Sequence, residues 1–296
     1  MVRLLVVGGS GLLGSKVMDV AARRGFVVYS SYFSHKTDLS GGLKLDVTDF
    51  SMVKDIIRRV NPDVVIHASA VTDVDLCEKN RELAYKVNVL GTGNVVKACE
   101  SIGAYLVYIS TDYVFSGDKG FYKEDDEPNP INYYGYTKLE GERLVMSSNL
   151  KYLIVRTSVI YGAKPAAGKI NFALWIIEKL KNNEYVKVLT DQFISPTLNT
   201  NLAEMILEAV EKDLNGVYHM AGDERVSRYD FALKIAEIFN LNPKLVIKAS
   251  MNDMNWIAKR PKDSSLNVEK TKFILNTKPL KLDEAIKKLK LEVERI

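Results

Sequence analysis

Tyr134 and Lys138 are separated by three residues in the run Asn132-Tyr133-Tyr134-Gly135-Tyr136-Thr137-Lys138, and a hydroxyl pair, Ser110 and Thr111, closes an apolar run upstream. A phenol, an amine and a hydroxyl together can give a proton to a carbonyl or take one from an alcohol. Side chains four apart on a helix share a face, so an ammonium at Lys138 would lie beside the Tyr134 phenol and favour its ionised form. A phenol titrates near ~10 unperturbed, so such a neighbour is expected to bring it towards working pH. The spacing alone occurs by chance in many helices. Its meaning depends on the elements that position it.

Those elements alternate. Leu4 to Val7 is a continuous apolar run suited to a strand buried on both faces, and after a glycine-rich turn a helical pattern runs through Arg24. Further strands are predicted from Gly25 to Tyr29, Asp63 to His67, Tyr105 to Ile109 and Tyr152 to Val155, with helical segments over Ser51 to Val60 and Arg81 to Ile102. The fold class expected is α/β, a doubly wound parallel-sheet Rossmann fold over residues 1–162. Residues 163–296 read as a smaller mixed α/β substrate lobe, with some segments returning to the sheet. It holds helices from Asn171 to Lys181, Leu202 to Val210 and Phe231 to Phe239, and a strand around Val186 to Leu189. Ser227-Arg228-Tyr229-Asp230 resembles a capping box ahead of the third helix. Ligands of such sheets bind at the carboxyl ends of the strands, where the glycine turn, His67 and Ser110 converge.

Gly8, Gly11 and Gly14 form a G-x-x-G-x-x-G turn between the first strand and the first helix. Small residues there let the backbone approach a pyrophosphate, and the helix turns its first amides towards that anion. The acidic residue that would hold an unphosphorylated ribose after the second strand is missing; Ser30 and Ser31 stand there, with His35 and Lys36 close behind. That pattern favours NADP (as NADPH) over NAD, which stays open. Asp46, which follows a short apolar strand, could accept a hydrogen bond from an adenine amino group, while Asp49 is the better cap for the next helix. Ala68, Ser69 and Ala70 are small enough for the cofactor ribose to pass; His67 is read as a packed strand-end residue.

Composition narrows the classes. The 296 residues are 47% hydrophobic and 26% charged, ordinary for a globular chain, and the 41 basic and 37 acidic residues are spread without a basic arm, which argues against nucleic acid. The apolar start is too short for a signal peptide or a membrane span, so a cytoplasmic protein with no membrane contact is expected. The two cysteines, Cys77 and Cys99, lack metal-ligand spacing and read as buried thiols; no metal is expected. Gln192 is the only glutamine, and lysine, glutamate and isoleucine are plentiful, which leans towards a thermophilic source.

The glycine turn, Asp46, Asn88 in Asn88-Val89-Leu90-Gly91-Thr92, Ser110-Thr111 and Tyr134-x-x-x-Lys138 together resemble the extended short-chain dehydrogenase/reductases. Ser110 to Gly117, Arg156-Thr157-Ser158, Asp191-Gln192-Phe193 with Ser195-Pro196-Thr197, and Arg260-Pro261 with Ser265-Leu266-Asn267 are similar to the dTDP-4-dehydrorhamnose reductases. They are similar also to a relative of these, the regulatory subunit of methionine adenosyltransferase. The resemblance runs from residue 1 to beyond 270.

The resemblance implies an NADPH-dependent reductase of dTDP-rhamnose biosynthesis, acting on the 4-keto group of a nucleotide sugar. Tyr134 would donate the proton, Lys138 would tune it and hold the nicotinamide ribose, and Thr111 would bond the substrate oxygen. Ser110 is the adjacent alternative, since neighbours on a strand face opposite ways. The implied cofactor set is Gly8, Ser10, Gly11, Leu12, Leu13, Gly14, Ser31, His35, Lys36, Asp46, Val47, Ala68, Ser69 and Ala70, with Tyr134 and Lys138. Val74, Thr111, Asp112 and Tyr113 would lie near the sugar and Arg260 near the diphosphate. Asn88 would be a supporting residue or a satisfied buried amide. Where those reductases often carry a tryptophan after Arg-Thr-Ser, this chain has Val159, so that aromatic contact is expected to be absent. The alternative partner is a methionine adenosyltransferase clasped by a cofactor-binding regulatory chain; a homodimer is left open.

Overall fold

Runs of valine, leucine and isoleucine that bury both their faces can pair only inside a sheet covered by helices on each side. The computed structural model describes residues 1–35, 42–165 and 169–295, and in it seven strands form one sheet. They are Arg3–Val7 (β1), Val27–Tyr32 (β2), Gly42–Lys44 (β3), Val64–His67 (β4), Tyr105–Thr111 (β5), Tyr152–Thr157 (β6) and Gly216–His219 (β7). The order is β7-β6-β5-β4-β1-β2-β3, and every adjacent pair is parallel.

Alternate residues pack on the two faces of the sheet. Leu4, Val6, Ile66, Val107 and Leu153 face the helices Leu12–Arg23 and Asn199–Glu211. Leu5, Val65, Leu106, Tyr108 and Ile154 face the helices Phe50–Val60 and Gly91–Glu100. Each such aliphatic side chain contributes about 1.5–3 kcal/mol of burial. This is the doubly wound α/β Rossmann arrangement that the alternation of elements predicts.

The chain reverses direction of winding at β1, so a crevice opens beyond the carboxyl ends of β1 and β4. Val7 pairs with Ser31 on one side and His67 on the other, which brings the ends of β1, β2 and β4 to one level. A second core gathers Ile176, Phe231, Ile235 and Leu289 from the helices Phe172–Lys181, Arg228–Ile238 and Leu282–Val293, with Tyr161, around a small parallel pair, Val186–Leu189 with Val246–Ala249, which contributes Val188. Phe115 and Tyr122, stacked at 4.2 Å, join Leu139, Leu266 and Val268 in a cluster between the two cores.

Two features depart from the sequence reading. The predicted helix over Arg81–Ile102 is Arg81–Tyr85, a π-helical turn at Lys86–Leu90 and Gly91–Glu100. The wide turn presents Asn88, whose amide accepts from Val71 N at 2.8 Å and donates to Val71 O and Thr137 Oγ1, both at 3.0 Å. The short strand expected before Asp46 is present as β3, whereas the edge strand β7 has no long apolar run to announce it, because an edge strand is paired on one side only.

Candidate functional site

The cofactor end is built by backbone. Gly8 has φ +92°, and a Cβ there would lie 2.8 Å from Ser69 N; one on Gly14 would lie 2.3 Å from Gly8 O. Only glycine lets strand, turn and helix come this close. The helix that follows has Gly11 as its N-cap and no side-chain cap, so the first amides, those of Leu12, Leu13 and Gly14, have no intrahelical acceptor. An uncapped helix start beside a glycine turn fits a dinucleotide pyrophosphate. Leu13 contributes only backbone there, since its side chain is in the core.

Beside this turn lies a cavity of about 490 Å³. Its walls include Gly8, Ser10, Gly11, Ser31, His35, Asp46, Val47, Ala68, Ser69 and Ala70, ten of the expected cofactor residues. The sequence did not single out Tyr32, Phe33, Ser34, Leu83 or Lys86, which also line it. Lys36 lies outside the described residues. Ser31 is buried and its Oγ accepts from Gly8 N at 3.4 Å, so it braces the turn, while Ser34 and His35, bonded at 2.9 Å, remain exposed at the rim. The Asp46 carboxylate accepts from Thr48 N and Thr48 Oγ1 at 2.9 and 2.8 Å, and Asp49 caps the next helix through Met52 N.

The chemical residues stand past this cavity, at the end of β5. Asn132 caps the helix Tyr133–Met146 by accepting from Gly135 N at 2.8 Å. Any Cβ on Gly135 would meet Tyr113 O at 2.1 Å, so the glycine between Tyr134 and Tyr136 sets how closely this helix approaches β5. The pleat separates the two hydroxyls. Ser110 Oγ turns inward to donate to Glu142, whereas Thr111 Oγ1 stays beside Tyr134, accepts from Tyr113 N at 3.2 Å and donates to Asp112 at 3.1 Å. Thr111 is therefore the hydroxyl on the side of the phenol.

Electrostatics here differ from the sequence expectation. Burial pushes the Tyr134 phenol well above its ordinary value and Thr111 opposes the rise; Lys138 is not the dominant influence. Burial also drives the Lys138 amine down to about 7, against the pull of Glu142. The amine lies 4.1 Å above the Tyr108 ring, whose π face offsets part of its lost solvation. His67 packs against Tyr108 at 5.7 Å and is held neutral by burial, at about 3, with Thr92 and Ser69 on its two nitrogens. It is a packed strand-end residue, as expected.

On the far side Tyr113 meets Tyr134 edge to face at 5.9 Å and opens onto a second cavity of about 340 Å³. Tyr113 and Arg260 line it, but Val74 and Asp112 do not. Val74 starts a short helix, and the Asp112 carboxylate is turned into the protein, where it accepts from Ser158 at 2.9 Å, Ser264 at 2.5 Å and Thr111. Arg260 is ion-paired with Asp75 at 3.0 Å and lies over Trp256. The remaining walls come from Phe172, Trp175, Lys187, Val188, Leu189, Gln192, Arg228, Met254 and Trp256. Among the described residues no carboxylate ion-pairs with Arg228, whose Nε donates to Gln192 Oε1 at 2.5 Å. The only sequence signal for Arg228 was its place after the capping Ser227. Val159 has φ +34° and packs in the second core, and Phe172, Trp175 and Trp256 supply aromatic walls from other segments.

Residues 2–294 match the family model of the RmlD substrate binding domain. The chain belongs to that family. It is 36% identical over 266 residues to a probable low-salt glycan biosynthesis reductase, Agl14, of Haloferax volcanii, with 89% of each chain covered. It is 31% identical to the methionine adenosyltransferase 2 subunit beta of Xenopus tropicalis, covering 92% of this chain and 82% of that one. The solved dTDP-4-dehydrorhamnose reductase of Bacillus anthracis in complex with NADP superposes with a TM-score of 0.89 at 33% identity, covering 98% and 99% of the two chains. Membership of the RmlD family places the chain among the extended short-chain dehydrogenase/reductases, a class of NAD(P)-dependent oxidoreductases. Among the described residues no helix is long and apolar enough to cross a membrane.

Proposed function

We propose that this chain is an NADPH-dependent reductase that converts the 4-keto group of dTDP-4-dehydro-6-deoxy-L-mannose into the alcohol of dTDP-L-rhamnose, in the cytoplasm. The reading rests chiefly on one observation: the Thr111 hydroxyl at the end of β5 stands beside the Tyr134 phenol, with Lys138 one helical turn further on. Ser69, His67 and Tyr108 lead from the first cavity to Lys138, and Tyr113 leads from Tyr134 to the second. The Bacillus anthracis reductase, which binds NADP, supports the cofactor and the sugar nucleotide.

In this reading Gly8, Gly11 and the amides of Leu12 to Gly14 hold the pyrophosphate, Asp46 faces the adenine, and Ser34 and His35 at the rim take the 2′-phosphate. Bound NADPH supplies a hydride to the ketone carbon. Tyr134 gives the ketone oxygen its proton, and the Thr111 hydroxyl hydrogen-bonds that oxygen as negative charge develops on it. The raised affinity of the buried phenol for its proton keeps it loaded at neutral pH. Arg228, with Lys187 and Arg260, meets the diphosphate of the sugar nucleotide, and Tyr113 with the tryptophans encloses the sugar.

A second reading, a cofactor-binding regulatory chain that clasps a methionine adenosyltransferase, is carried by the Xenopus relative, a methionine adenosyltransferase 2 subunit beta. The proton-transfer trio disfavours it, because binding alone has no chemical use for all three groups. Oxidation of NADPH with the 4-keto sugar nucleotide, followed at 340 nm, separates the two. Turnover supports the reductase; no turnover together with stable co-purification of the synthetase overturns it.

A further inference from the structure

Tyr134, Lys138 and Glu142 follow one another at four-residue intervals, so a single face of the helix Tyr133–Met146 carries a phenol, an amine and a carboxylate one turn apart. The carboxylate touches neither cavity. Its side chain has 0% of its surface exposed and that of Arg156 4%, and the two form a forked pair, with Arg156 Nη2 at 2.7 Å and Nε at 3.0 Å. Ser110, the hydroxyl that the pleat turns away from Tyr134, donates to the same carboxylate. Arg156 is held in turn by the Phe115 ring at 5.1 Å and by Glu124 O. Three segments, the ends of β5 and β6 and the helix that bears Tyr134, thus converge on one buried anion. A buried pair of this kind is weak evidence for stability, since desolvation cancels much of its attraction.

Its neighbour one turn back is Lys138. The titratable and charged groups around that amine are His67 on β4 and Tyr108 on β5, with Tyr134 one turn before and Glu142 one turn after it on its own helix and Arg156 of β6 behind Glu142. His67 is neutral and Tyr108 offers only its ring face.

We infer that Glu142 is a positioning residue for the reaction: fixed by Ser110 and Arg156 one helical turn from Lys138, it is the counter-charge that opposes loss of the proton from the Lys138 amine inside a closed interior. Burial alone favours the neutral amine, which could not present a cation to Tyr134 as its proton leaves. The inference deepens the reductase reading and rests on it for the meaning of Lys138, but its first test needs no turnover.

The nitrogen resonance of Lys138, identified by its disappearance in Lys138→Met, is titrated in the full-length protein by NMR. Glu142→Gln is expected to lower the midpoint by about one pH unit or more. Because that variant leaves Arg156 without an anion, Glu142→Gln/Arg156→Met is measured beside it; it restores a charge-balanced interior, and the midpoint is still expected to fall. A wild-type midpoint in either folded variant overturns the inference. If the reductase reading holds, the alkaline fall of kcat/KM moves to lower pH by the same interval, and an unmoved pH profile also counts against Glu142. A shifted midpoint in a protein that never turns over supports the role of Glu142 and sinks the reductase reading alone.

Discussion

The two cavities that flank Tyr134 are made in different ways. The larger draws on five short segments, around Gly8, Ser31, Asp46, Ser69 and Lys86, but its anion site is contiguous and made by backbone: one strand, one turn and one helix supply it, and side-chain identity matters where a Cβ would collide. The smaller is made by side chains from the segments around Tyr113, Phe172, Lys187, Arg228 and Trp256, which only folding brings together. Backbone sites tolerate drift in everything but glycine, whereas side-chain sites can be retuned one residue at a time. That difference fits a cofactor shared across a class and a substrate that varies within it.

Four substitutions test this contrast. Tyr134→Phe, at the junction, is expected to reduce kcat by about 10²–10⁴-fold while NADPH titration shows unchanged affinity. Wild-type turnover in that variant would remove Tyr134 from the mechanism. Gly8→Ala should weaken NADPH by roughly 2–3 kcal/mol, about a hundredfold, since it strains a backbone at φ +92° and crowds Ser69. Unchanged affinity by fluorescence titration would mean that the turn is not backbone-limited.

Asp112 is where the scattered segments are stitched, and burial raises its carboxyl from 3.8 to about 6. The folded state therefore holds more protons than the unfolded state between these values, and the contribution of Asp112 to stability falls as pH rises through that window. Asp112→Asn removes this term, so the variant should gain about 2 kcal/mol relative to wild type between pH 4 and pH 7. Urea melts at the two pH values check this; a constant difference contradicts the burial argument. Arg228→Met is expected to raise KM for the sugar nucleotide about tenfold with kcat and NADPH affinity nearly unchanged. A larger effect from Arg260→Met would instead make Arg260, despite its pairing with Asp75, the main anion receptor.

The fold class and the cofactor turn were legible because they are local. Continuous apolar strands alternate with helices, and Gly8, Gly11 and Gly14 stand between the first pair. The strand β3 was legible as the short apolar run before Asp46, but β7 was not, being a short edge whose pairing is set by its neighbour. The π-helical turn at Asn88 was hidden because its cause, the backbone of Val71, is seventeen residues away.

By itself the sequence determined the order of elements, the glycines that permit close approach and the residue types that can carry a proton, since each follows from local periodicity or covalent structure. Only the tertiary structure decided which of two adjacent hydroxyls, Ser110 or Thr111, stands beside Tyr134, and that Lys138 lies over Tyr108 with its phenol neighbour governed by burial. It alone placed Arg228, Gln192 and Trp256 around one cavity and closed Glu142 on Arg156. The reason is physical: strand pleat, desolvation and contacts between distant segments exist only once the sheet has brought its carboxyl ends together.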